Sequence, residues 1–184
     1  MERNNVTSDH LTKLALRMKR GDRRAAEALY DDLLPKVYGF LFVRTGKREI
    51  AEDLAQDVFV KLVEKIGMFS EDRGRFTVWF WQITRNVLID HYREKKETPF
   101  SVFDDEAVEG MAVVEMPDIE KRMRYGTLKE FVAGLQDDER ELFELRYAAE
   151  MPYHDIAALL GRSEGSLRVA AMRLKEKIKK ELGS

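Results

Sequence analysis

The 184-residue chain is 44% hydrophobic and has no cysteine, so it can bury real cores but cannot form a disulfide or a thiolate zinc site. His10, His91 and His154 stand apart without ligand spacing, no apolar run could span a bilayer, and the N-terminus MERNNVTSDH lacks the apolar stretch of a signal peptide. The expectation is a cytoplasmic protein with no metal, no cofactor and no membrane partner. The net charge of −2 hides a strong internal division. Residues 1–96 hold 19 basic and 15 acidic residues, residues 97–120 hold 8 acidic and no basic residue, and residues 121–184 hold 13 basic and 11 acidic residues. The last part is itself polarised: 137–155 carries 2 basic and 7 acidic residues, whereas 162–180 carries 7 and 2. One end of it is suited to phosphates.

Residues 10–20 and 22–44 place apolar side chains at three- and four-residue spacing, which predicts two amphipathic helices, the second capped by Asp22. A third is predicted from Arg48 to Ile66, with Ile50, Ala51, Leu54, Ala55, Val58, Leu62 and Ile66 on one face and Glu49, Glu52, Asp53, Gln56 and Asp57 on the other. Two glycines and mixed charge make Gly67 to Arg75 a loop. Phe76 to Lys96 reads as a further helix, aromatic at its start (Phe76, Trp79, Phe80, Trp81) and basic at its end (Arg93, Lys95, Lys96). Its aromatic spacing favours core packing for Trp79 and Phe80 and leaves Trp81 open between core and surface. Residues 97–119, with Pro99, Gly110 and Pro117 and no basic residue, read as a flexible acidic linker. Helical segments follow at Ile119–Gly134, Asp137–Ala149, Pro152–Leu160 and Ser163–Leu182. The predicted fold is all-α: two helical domains, 1–96 and 120–184, joined by the linker.

The last two segments carry the sharpest local signal. Pro152 suits a first helical turn, Gly161 can take the left-handed conformation that ends a helix, and Ser163 can cap the next one, with Glu164 favourable in its first turn. A short helix, a specified turn and a second helix make a helix-turn-helix. The second helix buries Leu167, Ala170, Ala171, Leu174 and Ile178 and leaves Ser166, Arg168, Val169, Met172, Arg173 and Lys175 outside. Arginines that can pair with guanine, beside apolar groups that can meet thymine methyls, are what a major-groove helix needs.

Taken together, AEDLAQDVFVKLVEKI, RFTVWFWQITRNVLIDHYREKK and ELRYAAEMPYHDIAALLGRSEGSLRVAAMRLKEKI resemble bacterial RNA polymerase sigma factors of the extracytoplasmic-function type, in the sigma-70 family. The resemblance covers nearly the whole chain and implies an initiation factor, not an enzyme, that binds core polymerase and recognises promoter −10 and −35 elements. It implies that 1–96 is sigma domain 2 and 120–184 sigma domain 4. Asp53, Gln56 and Asp57, with Phe59 at the edge, match the face that binds the clamp helices of the largest polymerase subunit. The loop and following helix match the −10 reader, which assigns Phe69, Ser70, Arg73, Arg75, Phe76, Trp81, Asn86 and Arg93 to the −10 strand. Arg168, Val169, Met172 and Arg173, with Ser163, Ser166 and Lys175 on the same helix and Arg146 on the preceding one, match −35 contacts. The implied partners are core RNA polymerase, through its clamp helices and flap, promoter DNA, and an anti-sigma factor. One departure is visible: the adjacent tryptophans that melt promoters in housekeeping sigma factors align with Thr77 and Val78.

Two other readings remain at this point. In one, a helix-turn-helix regulator uses residues 1–96 as a sensor or dimerisation bundle and never binds polymerase. It does not require the acidic 49–57 face. In the other, an all-α enzyme uses Asp31, Asp32 or Asp90 with His91, but no nucleophile, metal set or phosphate loop accompanies them.

Overall fold

The computed structural model describes residues 3–95 and 131–182, and among these every regular element is helical. Helix α1 (Arg3–Lys19) starts earlier than the spacing alone indicates. Helix α2 (Arg23–Thr45) begins on Asp22, whose Oδ1 accepts from the Ala25 amide at 3.2 Å. Arg17 donates to the other carboxylate oxygen at 2.7 Å, and this contact holds the Asp22 carboxyl below its usual pKa. Gly46, at φ 66°, ends α2 in the left-handed conformation. Helix α3 (Arg48–Lys65) follows, then two short 3-10 turns at Ile66–Met68 and Glu71–Arg73 where a loop was expected, then α4 (Phe76–Lys95).

In the C-terminal part, α5 (Asp137–Phe143) opens with a capping box in which Gln136 and Glu139 satisfy each other's backbone amides. It runs on as a π-helical turn, Glu144–Ala148. Helix α6 (Tyr153–Leu160) ends on Gly161 at φ 65°, and α7 (Glu164–Leu182) is capped by Ser163, whose Oγ accepts from the Ser166 amide at 3.2 Å. Gly161, Ser163 and Glu164 act as the sequence indicates, whereas Pro152, expected in the first helical turn, is instead the extended N-cap that precedes it. The linker expected at 97–119, and the start of the segment expected at 119–134, lie outside the described residues. No described helix is long and apolar enough to cross a membrane.

Helix α2 packs against α1 and α3, and α4 closes the bundle on α1 and α3. Leu29, Leu33, Val37 and Leu41 of α2, Ala51 and Val58 of α3, and Phe76 and Phe80 of α4 are almost wholly removed from water. This apolar cluster does not stop at the first lobe. It continues through Leu142, Leu145, Met151, Ile156 and Leu167 of the second. A smaller cluster joins Phe131, Val132, Leu135, Phe143, Leu174 and Ile178 to Val43 at the end of α2. The two helical lobes thus share buried surface, an arrangement the period of the apolar residues does not reveal because a buried position is silent about which neighbour buries it.

Candidate nucleic-acid interface

The helix-turn-helix presents the face that was expected of it. Leu167, Ala171, Leu174 and Ile178 are buried, while Ser163, Ser166, Arg168, Val169, Met172, Arg173 and Lys175 are exposed. Val169 and Met172 are large apolar side chains left 47% and 58% in water, a cost that a partner surface would relieve. The two arginines differ in readiness. Arg168 is hydrogen-bonded to Glu164 one turn earlier and lies 5.2 Å from the Tyr153 ring centroid. Arg146 sits 5.1 Å from the same ring and donates to the Met151 carbonyl at 3.2 Å. Tyr153 therefore holds two guanidinium groups by cation–π contact. It escaped the sequence reading because a tyrosine in a first helical turn carries no spacing signal. Arg173 makes no hydrogen bond or ion pair among the described residues and projects freely.

On α3, Asp53, Gln56 and Asp57 are all exposed along one face, continued by Val60 and Val63 at 55% and 62% exposure. Phe59 is not at the edge of that face. It is buried, with Tyr30 at 4.6 Å and Phe80 at 6.1 Å between ring centroids, and belongs to the bundle core.

The −10 set divides in the same way. Arg73, Arg75, Asn86 and Arg93 are exposed and Ser70 is half-buried. Phe69, Phe76 and Trp81, by contrast, are 2%, 0% and 2% exposed, so in this conformation none can offer its ring to a base. The reason is one aromatic cluster: Phe69 contacts Phe76 and Trp79 at 5.4 Å each, Phe76 stacks on Phe80 at 5.8 Å, and Trp81 meets Phe40 edge-on at 5.3 Å. Phe80 is buried as the spacing predicts, and Trp79 is half-buried. Trp81, which the spacing left open, falls on the core side.

The least expected feature is electrostatic. The acidic pole of the C-terminal lobe faces the N-terminal lobe. Glu144 of the π-helical turn lies 3.4 Å from Arg44, Glu150 lies 3.1 Å from Lys36, and Glu141 pairs with Arg85 at 2.5 Å. Asp155, with a side chain only 1% exposed, accepts from Arg75 at 3.0 Å and from the Thr77 hydroxyl at 2.5 Å, with the Ser8 hydroxyl at 3.5 Å. Burial pushes the Glu144 carboxyl up to about 8 against the pull of Arg44 and Arg140. Burial also raises Asp155, partly offset by the Thr77 hydrogen bond and the Arg75 charge. Glu150 occupies a left-handed conformation at φ 52°, unusual for a non-glycine residue, immediately before Met151. Among the described residues no group of His, Asp or Glu is arranged to hold a metal ion.

An acidic helix face on one lobe and a capped helix-turn-helix with a free basic and apolar face on the other define a bipartite helical DNA-binding protein. Comparison with known proteins gives its family. Sigma-70 region 2 matches residues 29–98, and Sigma-70, region 4, matches residues 125–178. ECF RNA polymerase sigma factor SigW of Bacillus subtilis is 24% identical over 181 residues, covering 94% of this chain and 96% of that protein. RNA polymerase sigma factor YlaC of the same organism is 27% identical over 164 residues, covering 87% of this chain and 93% of its own. ECF RNA polymerase sigma factor BldN of Streptomyces coelicolor is 25% identical over 168 residues, 90% of this chain, which spans only 63% of BldN. Among solved structures, CnrH in complex with the cytosolic domain of CnrY has the same fold, with a TM-score of 0.64 at 22% identity over 95% of this chain and 97% of that one. The sigma factor RpoE bound to the anti-sigma factor NepR from Bartonella quintana matches at a TM-score of 0.58 and 22% identity, covering 85% of this chain and 96% of that one. The chain belongs to the sigma-70 family, as a sigma factor of the extracytoplasmic-function type acting in transcription initiation.

Proposed function

We propose that residues 1–96 dock on core RNA polymerase and capture the −10 strand, and that residues 120–184 read the duplex −35 element, with 97–119 as the tether between them. The observation that carries this is the coexistence of an exposed acidic face on α3 with an exposed reading face on α7, which a regulator lacking polymerase contacts would not need. Asp53, Gln56 and Asp57 meet the polymerase clamp helices. Arg146, Ser163, Ser166, Arg168, Val169, Met172, Arg173 and Lys175 meet −35 DNA. Ser70, Arg73, Arg75, Asn86 and Arg93 serve the −10 strand. The chain acts in the cytoplasm by binding and by holding DNA open, without chemistry of its own. Two of the fold's solved relatives are complexes with a protein partner, one of them an anti-sigma factor, which supports an anti-sigma partner here too.

The polymerase face is tested with Asp53→Ala, Gln56→Ala and Asp57→Ala combined. Affinity of the full chain for core polymerase should fall on the order of tenfold or more, because a combined loss of about 1.4 kcal/mol over three side chains of one interface is enough for that. Duplex −35 binding should be retained, since these residues lie on the other lobe. Unchanged polymerase affinity would remove α3 from the interface.

A further inference from the structure

The Ser8, Arg75 and Thr77 cluster is a built anion site. Ser8 and Thr77 are 3% and 6% exposed, unusual for hydroxyl side chains, and both turn toward the same Asp155 carboxylate. Thr77 donates to Oδ2 at 2.5 Å, and Ser8 backs it, 3.3 Å from the Thr77 hydroxyl. Arg75 donates to Oδ1 at 3.0 Å while its own side chain stays about half exposed, so the guanidinium reaches from the surface to a carboxylate that is itself buried. The site also lies at the start of α4, a 20-residue helix whose N-terminal end favours negative charge. A guanidinium and two hydroxyls that converge as donors on the two oxygens of a carboxylate are a set that the oxygens of a phosphodiester would also meet.

The carboxylate that fills this site comes from the other lobe. Asp155 is one of four acidic groups on 141–155 that pair with basic groups of the N-terminal lobe, and Arg75 and Arg85 are two of those partners. Arg73 precedes Arg75 on the same loop, and Arg85 and Arg93 follow further along α4. The other charged or titratable groups near Asp155 are His154, whose Nε2 is 3.2 Å from Oδ1, and Asp9. A lobe that reads duplex DNA upstream cannot stay clamped on the lobe that holds the −10 strand, since the two elements are separated along the promoter.

Resting on the −10 role proposed above, we infer that Ser8, Arg75 and Thr77 form a phosphate seat for the promoter strand, which Asp155 occupies while the lobes are closed and vacates when they part. Asp155 is then a phosphate surrogate within the chain. Thr77, which donates to Asp155 in the closed state, then grips the strand backbone.

The test measures binding of the full chain to a short single-stranded oligonucleotide of random sequence at fixed salt, with either a phosphodiester or a neutral methylphosphonate backbone. Asp155→Asn keeps the shape of the side chain but removes its charge. It should tighten binding to the phosphodiester on the order of tenfold, the worth of one charge-assisted contact. The methylphosphonate should show no gain, and adding Thr77→Val or Arg75→Gln to Asp155→Asn should abolish it. A gain equal on both backbones, a gain that survives Thr77→Val, or no gain at all would overturn the seat. Asp155→Ser serves where the asparagine variant misfolds, and failure of both to fold would show that the contact is structural and not releasable, which also overturns it. Core polymerase binding by the wild-type chain, measured in parallel, separates the two ideas. Its absence would defeat the promoter-directing role, whereas the backbone-charge comparison concerns the seat alone.

Discussion

Replacing Arg173 by alanine is expected to weaken duplex −35 binding by about 1–3 kcal/mol and to relax preference at a single base pair, if its guanidinium pairs with a base edge. The size follows from its state in the free protein. Arg173 is exposed and makes no hydrogen bond or ion pair among the described residues, so it breaks no contact within the protein when it enters the groove. Arg168 differs. It must first leave Glu164 and keep or break its contact with Tyr153, so Arg168→Ala should cost less than Arg173→Ala. Binding of each variant to a panel of single-base changes in the −35 element checks both statements. A loss spread evenly over all sequences would reassign Arg173 to the phosphate backbone, and an Arg168 loss larger than that of Arg173 would contradict the comparison.

A large pH effect is expected from Glu144. Its side chain is fully buried, and its carboxyl is raised from 4.5 to about 8. A carboxyl raised on folding means that the native state binds more protons than the unfolded state throughout this interval. Stability is therefore greatest below about pH 4.5 as far as this group is concerned, and is lost progressively as pH rises toward 8. At 1.36 kcal/mol per unit, Glu144 alone should cost about 2 kcal/mol between pH 6 and pH 8. Arg44 and Arg140 moderate the loss, while Glu141 adds to it and Arg85 opposes it. Glu144→Gln should flatten this part of the profile and raise stability at pH 8. Part of that gain offsets what Arg44 loses with its carboxylate partner. Urea unfolding of both proteins at the two pH values measures the difference. A wild-type profile no steeper than that of the glutamine variant would show that Glu144 is ionised and adequately paired.

What could be read in the sequence was chiefly what local chemistry dictates. Asp22, Gly161 and Ser163 act on their nearest neighbours, so cap and turn positions were legible and hold residue for residue. The exposed faces of α3 and α7 were legible for the same reason, since a helix with one apolar stripe must turn the remainder outward. The aromatic residues were harder. Phe69, Phe76 and Trp81 could have been strand-capturing rings or core, and only the meeting of the loop with α4 and α2 places them inside. Phe59 is next to a face of charged residues in the helix but is buried, because its ring turns to Tyr30 and Phe80.

The charge pattern carries only half of its meaning in the sequence. The swing from an acidic 137–155 to a basic 162–180 sets the two ends of this lobe apart. It could not show that the acidic end has a partner of its own, because Glu141, Glu144, Glu150 and Asp155 find theirs 56 to 114 residues away. Ser8 and Thr77 carry no charge and had no signal until Asp155 was seen between them.

The bipartite reading is tested most directly by run-off transcription with core polymerase on a library of random promoters. The selected templates should share two conserved blocks, −10-like and −35-like, with the upstream block lost when Arg168 and Arg173 are both replaced by alanine. Transcripts from templates with only one conserved block, or no promoter-dependent transcript with active core enzyme, would contradict it.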